Sequence, residues 1–171
     1  MFPTRSERRG LARFVTMQNN YNLVYREEER EMQPLCAAEG LSMIPWSPLA
    51  RGMLAGTRKA PGDASTARSS SDGLDQVLYD QPSDWDVVAA VKQVADGRGV
   101  PPAQVPLAWV LHNPVVAAPI VGATKLPHLE DAIAALELRL DPEDVATLEA
   151  PYRPHPVKGL APPTRAQLGY R

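Results

Sequence analysis

Residues 115–136, VVAAPIVGATKLPHLEDAIAAL, constrain the fold of this chain more than any other stretch. Val115 to Val121 is a continuous apolar run rich in β-branched residues, which predicts a strand buried on both faces. Gly122 and Ala123 allow the backbone to turn sharply and to approach a ligand closely. Thr124 is placed to cap the helix that follows, and Lys125 adds positive charge at its start. Unpaired N–H groups, the positive end of the helix dipole and a lysine then converge on one spot, which suits a phosphate. The motif points to a ligand and leaves the reaction open.

The remainder of the chain supplies two more strands and several helices. Phe14-Val15-Thr16-Met17-Gln18 is a short strand, followed by Asn19, Asn20 and Asn22, which suit a turn. Arg26 to Glu39 has helix spacing, with Met32, Leu35 and Cys36 on one face, early glutamates and Gly40 as the C-terminal cap. Leu41 to Trp46 is the second strand. Ser47 to about Gln81 is a long loop rich in Gly, Ser, Arg and Asp, a length that marks function or disorder. Ser83 starts a helix with Asp86 in a capping-box-like position. Val87, Val88, Val91 and Val94 form its buried stripe, and Gly97 and Gly99 break it. Pro101-Pro102 opens a helix that passes Trp109 and Leu111 and ends near Asn113-Pro114. Asp141-Pro142-Glu143-Asp144 starts a last helix to about Ala150. Buried strands separated by helical crossovers predict an α/β fold with parallel pairing.

Composition narrows the partners. At 171 residues the chain is one domain of ordinary size, with the 44% hydrophobic and 22% charged content of a globular protein. A net charge of −2 gives no electrostatic argument for nucleic acid or an anionic membrane. No apolar run approaches the roughly 20 residues that cross a bilayer. MFPTRSERRGLARF lacks the apolar core of a secretory signal. Cys36 is the only cysteine, so no intrachain disulfide and no thiolate metal cluster can form, and a reducing, cytoplasmic compartment is expected. His112, His128 and His155 have no spacing suited to a shared metal. There is no Gly-x-Gly-x-x-Gly run, and the glycines of a nucleophile elbow are missing around Ser47.

Five segments together resemble the C-terminal half of an aldo-keto reductase: FVTMQNNYNLVYREEEREMQPLC, IPWSPLARGMLAG, AQVPLAWVLHNP, PIVGATKLPHLEDAIAALEL and LEAPYRPHPVKG. They occur in the family's order over residues 14 to 159. The resemblance implies a partial (β/α)8 barrel contributing its last three βα units, and NADP(H) as the cofactor for reducing a carbonyl or oxidising an alcohol, with NAD(H) not excluded. It implies that Gln18 hydrogen-bonds the nicotinamide carboxamide and that Trp46 stacks on the nicotinamide ring. Ser47, Leu49, Arg51 and Gly52 match the loop over the pyrophosphate. Gly122, Thr124 and Lys125 match the adenosine-phosphate end, and His128 and Asp131 match positions contacting the adenine and its ribose. Many relatives carry arginine where Thr124 stands and asparagine where Ala132 stands. The bland alternatives are a polar strand end for Gln18, core packing for Trp46, and solvated side chains for Arg51 and His128.

The family's catalytic aspartate, tyrosine, lysine and histidine belong to the first half of the barrel and have no matching positions here. Tyr21, Tyr25, Tyr79, Tyr152 and Tyr170 lie outside the family's catalytic context, so no catalytic residue is assigned. The expected organisation is a disordered or non-native stretch over 1–11, the cofactor-binding half of the domain over 12–159, and an irregular tail over 160–171. Three strands of a barrel leave two open edges. The chain is therefore expected to pair with a complementary N-terminal half or to self-associate. A non-catalytic NADP(H)-binding module and a non-functional remnant are the competing readings.

Overall fold

A computed structural model describes residues 5–57, 78–79 and 81–156. The elements in chain order are α1 (Arg5–Arg8), β1 (Thr16–Met17), a 3-10 turn (Glu27–Glu29), α2 (Met32–Glu39), β2 (Ser42–Met43), a 3-10 segment (Ala50–Ala55), α3 (Pro82–Arg98), α4 (Gln104–His112), α5 (Leu126–Ala134) and α6 (Pro142–Glu149). The 58–77 part of the long loop and the 160–171 tail lie outside the described residues.

The α/β class and the parallel pairing are observed. β1 pairs β2 in parallel, Thr16 opposite Ser42 and Met17 opposite Met43. Asn20 bridges Trp46 further along. Segment 115–120 joins on the other side of β2 through parallel bridges, Met43 to Val116 and Trp46 to Ile120. The order is therefore β1, β2, then 115–120.

That third segment departs from the uninterrupted strand expected over Val115–Val121. Its ladder starts regularly, with Met43 N–H donating to Val115 C=O at 2.8 Å and Ala117 N–H to Met43 C=O at 2.9 Å. The next rungs would need N–H groups from Pro45 and Pro119, and proline has none. Ile120 N–H instead donates to Pro45 C=O at 2.7 Å. Three steps along β2 (Met43 to Trp46) are thus matched by four along the third segment (Val116 to Ile120). The extra residue is a bulge, and it turns Ile120 onto the face that carries Trp46.

The Arg26–Glu39 helix is split. Within a continuous helix Pro34 would clash with the carbonyl of Arg30 and leave it without a donor. Helix α2 starts instead at Met32, placing Pro34 in the first turn, where a missing N–H costs little. The freed glutamates bond elsewhere. Glu27 is buried and accepts Tyr152 O–H at 2.7 Å and His155 N–H at 2.8 Å. Cys36 faces the core as expected, but Leu35 is exposed. Gly40 ends the helix in the left-handed region, φ 68°.

Helix α3 begins one residue before the expected Ser83. Gln81 is its cap, and the Gln81 N–H donates to the Asp84 carboxylate at 3.0 Å, so Asp84 fills the place expected of Asp86. Val87, Val91 and Val94 are buried; Val88 is half-buried against the core. Gly97 lies inside the helix, and only Gly99, at φ 67°, stops it. Helix α6 is capped as expected. Asp141 Oδ1 accepts from Glu143 N–H at 3.0 Å and Asp144 N–H at 2.9 Å.

The core lies on the helix side of the sheet. It joins Tyr21, Leu23 and Val24 after β1, Met43 of β2, Met53 and Leu54, the valine stripe of α3, and Val105, Trp109 and Val110 of α4. Tyr21 and Trp109 rings meet at 5.2 Å between centroids. Among the described residues no helix is long and apolar enough to cross a membrane.

Candidate nucleotide-binding rim

In parallel α/β sheets ligands bind at the carboxyl ends of the strands. Here those ends carry Gln18 directly after β1, Trp46 three residues after β2, and Gly122 two residues after the Ile120 bridge. Strand alternation puts Gln18 and Asn20 on one face of β1, and the Asn20–Trp46–Ile120 bridges put Trp46 and Ile120 on that same face. This face is opposite Met17 and Met43, yet Trp46 also packs against the core cluster, as its core-packing alternative expects. Gln18 is exposed and Trp46 half-buried, so an amide and an indole ring are presented together.

The loop after Trp46 is strained. Ser47, Ala50 and Arg51 all hold positive φ, 55°, 46° and 56°, where only glycine sits without cost. Gly52 follows at φ 95°, and an added Cβ there would lie 3.1 Å from Thr57 Oγ1. Ser47, Leu49, Arg51 and Gly52 are all half-buried. Strain of this kind persists only where surroundings enforce it. At Ser47 the enforcing group is Asn22. Its Oδ1 accepts from Val24 N–H and Tyr25 N–H, both at 3.0 Å, which fixes the amide's orientation. Its Nδ2 then donates to Ser47 C=O at 2.9 Å and to the Tyr79 hydroxyl at 3.1 Å. Tyr79 O–H in turn donates to Asn20 Oδ1 at 2.9 Å. Burial pushes the Tyr79 phenol up; hydrogen bonds with Asn20, Asn22 and Ser47 and the charge of Arg51 oppose this.

The second cluster starts α5. Gly122, Thr124, Lys125 and His128 are exposed. The helix cap is Lys125, in extended backbone, and no side-chain cap bond is made, so Thr124 does not cap. Leu126-Pro127 explains the shift: proline in the first turn draws the helix start toward itself. Thr124 Oγ1 instead faces His128 Nδ1 at 3.5 Å. Asp131 is half-buried and accepts from Gln104 Nε2 at 2.9 Å, which anchors α5 to α4.

Gln18, Trp46 and Ser47 therefore share one rim, Thr124 and His128 share another spot, and the Trp46–Ile120 bridge links the two. The donor set of carboxamide, indole, hydroxyl, guanidinium and ammonium suits a flat amide ring joined to anionic phosphates. Sequence reasoning placed the asparagines in a turn and set Tyr79 aside; the Asn20–Asn22–Tyr79 network that shapes the loop was missed. Three asparagines within four residues around a tyrosine were the available signal, since buried amides require partners. Among the described residues no cluster of His, Cys, Asp or Glu could hold a metal ion.

Comparison with known proteins adds the following. The profile of the Aldo/keto reductase family matches residues 5–153. A Schizosaccharomyces pombe protein whose name places it among aryl-alcohol dehydrogenases is 43% identical over 154 residues, covering 90% of this chain and 43% of its own length. The versiconal hemiacetal acetate reductase of Aspergillus parasiticus is 41% identical over 86% of this chain and 43% of its own length. An aldo-keto reductase of Alternaria alternata is 40% identical over 90% of this chain and 41% of its own length. The chain thus spans less than half the length of the curated relatives it matches.

Proposed function

The chain belongs to the aldo/keto reductase family, and from that premise we propose that it is the cofactor-gripping part of an NADP(H)-dependent oxidoreductase acting on carbonyl or alcohol substrates. The observation that carries this reading is the shared rim: Gln18, Trp46 and the strained Ser47–Gly52 loop stand at the carboxyl ends of adjacent parallel strands, one bridge away from the Gly122–Lys125 turn. In this reading Gln18 holds the nicotinamide carboxamide, and Trp46 covers one face of the ring and so sets which face exchanges hydride. Ser47, Leu49, Arg51 and Gly52 wrap the pyrophosphate. Thr124 and Lys125 hold the phosphate on the adenosine, beside His128 and Asp131. The bound nicotinamide supplies the hydride chemistry; this chain supplies binding and orientation. Its strands are the last three of the barrel.

Names among the relatives, an aryl-alcohol dehydrogenase and a hemiacetal acetate reductase, support small aromatic or oxygenated carbonyl compounds as the substrate class. The test is a titration of NADPH followed by tryptophan fluorescence, with Trp46→Phe separating the Trp46 signal from Trp85 and Trp109. Quenching in the parent chain that Trp46→Phe abolishes is the expected result. No quenching at millimolar NADPH refutes the reading. With nucleotide bound, the chain alone is expected to leave aldehydes unreduced, because the proton-donating tyrosine belongs to the other half of the barrel.

A further inference from the structure

We propose that His155 is a positioning residue for the nucleotide-binding rim, acting through Asp84 on Tyr79 and through Tyr25 on Asn22. The linkage stands on geometry; its consequence for nucleotide rests on the reading proposed above. The His155 and Asp84 side chains are each 1% exposed, and His155 Nε2 lies 2.8 Å from Asp84 Oδ1. Nε2 makes no regular hydrogen bond among the described residues, so the Asp84 carboxylate is the group that offsets its burial. The rest of the residue is held firmly. Nδ1 lies 2.9 Å from Arg153 C=O, and the backbone N–H donates to Glu27 Oε1 at 2.8 Å. The Tyr152 ring stacks on the imidazole with centroids 6.2 Å apart. Packing alone would be met by an apolar side chain without the desolvation that this polar pair costs.

Two arms run from His155 to the strained loop. In the first, Asp84 Oδ2 accepts from Gln81 N–H at 3.0 Å, and Asp84 N–H donates to Gln81 C=O at 2.9 Å. These bonds fix Gln81, which lies two residues after Tyr79. Two residues of chain span at most about 7 Å, so the place of Gln81 bounds that of Tyr79. In the second arm, the Tyr25 ring meets the imidazole edge-on with centroids 6.3 Å apart. Tyr25 N–H donates to Asn22 Oδ1 at 3.0 Å, and Asn22 N–H donates to Tyr25 C=O at 3.1 Å. The arms meet at Asn22 Nδ2, which donates to both the Tyr79 hydroxyl and Ser47 C=O. In a buried polar network, shifting one link leaves the next group unpaired.

The experiment measures NADPH affinity by the Trp46 quenching titration and stability by urea unfolding. His155→Leu should raise the Kd for NADPH by ~10-fold, within the range of coupling through packed networks. His155→Gln, which keeps a donor, should recover most of the affinity. Leu148→Ala, a buried change outside both arms, should lower the urea midpoint and leave Kd within ~2-fold. Where His155→Leu does not fold, Asp84→Asn keeps an oxygen for Gln81 N–H and should raise Kd in the same direction. A second readout needs no nucleotide: combining His155→Leu with Tyr79→Phe should shift the unfolding constant by ~3-fold or more from the product of the single effects. An unchanged Kd in His155→Leu, an equal loss in Leu148→Ala, or strict additivity of the cycle would each overturn the proposal. No quenching in the parent chain removes the nucleotide reading alone, and the cycle then decides the linkage.

Discussion

Asn22 has no exposed surface and uses both ends of its amide, accepting from two backbone N–H groups and donating to Ser47 C=O and Tyr79 O–H. Replacing it with alanine orphans several buried groups at once, so Asn22→Ala should cost about 3 kcal/mol in urea unfolding. Tyr79→Phe removes one hydroxyl and should cost about 1 kcal/mol. Asn22→Ala should also weaken NADPH binding, because the Ser47 C=O loses the Asn22 donor that fixes the start of the loop. Two other phenols predict a pH dependence. Burial, reinforced by Glu29, pushes Tyr21 above its ordinary 10.0; burial and the hydrogen bond to Glu27 do the same for Tyr152. The unfolded chain ionises near 10 and the folded one does not. This stability is intact below pH 10 and is lost as pH rises from there toward the folded values. Urea midpoints should fall between about pH 9 and pH 11, and a Tyr21→Phe/Tyr152→Phe variant should show a shallower fall. At this scale Gly122 was legible as a turn after an apolar run, whereas Gln18 and Trp46 were singled out by the family resemblance; the structure puts all three just beyond a strand or bridge. Asn22 was not legible as an anchor, because its partners Ser47 and Tyr79 are 25 and 57 residues away.

Helix α3 offers a pair of substitutions with opposite signs. Gly97 lies inside the helix, and a Cβ there meets nothing within 4 Å. Gly97→Ala should therefore stabilise by about 0.5–1 kcal/mol. Gly99 is equally open in space but holds φ 67°, so Gly99→Ala should destabilise by about 1 kcal/mol. Denaturation of both variants at one pH checks the pair. Sequence reading treated the two glycines alike, because composition marks a breaker without saying which side of a helix end it occupies. Prolines were more informative than the reading allowed. Pro34 fixes the start of α2, while Pro45 and Pro119 remove the donors that would have kept segment 115–120 in a regular ladder. The apolar run VVAAPIV announced a strand; the bulge in it required knowing that Pro119 comes opposite Pro45.

The stability of the whole molecule is uneven, and its unevenness follows the partition of burial. The core binds the turns after β1 and β2 to α3 and α4, and α6 adds the buried Leu148. Helix α5 contributes no buried side chain and is tied in mainly by Asp131 to Gln104. Its opening therefore exposes little new apolar surface and disrupts few contacts, whereas opening α4 uncovers Val105, Trp109 and Val110. Amide hydrogen exchange should show Leu126–Ala134 exchanging on the order of 100-fold faster than Gln104–His112. Equal protection of the two helices would show that α5 is held by something other than packing. The same helix starts at the proposed nucleotide site, so NADPH should slow its exchange. The nucleotide acts at the Thr124–Lys125 end, and the slowing should therefore concentrate in the first turn. Slowing spread evenly through Ile133 would place the bound nucleotide somewhere other than the start of this helix.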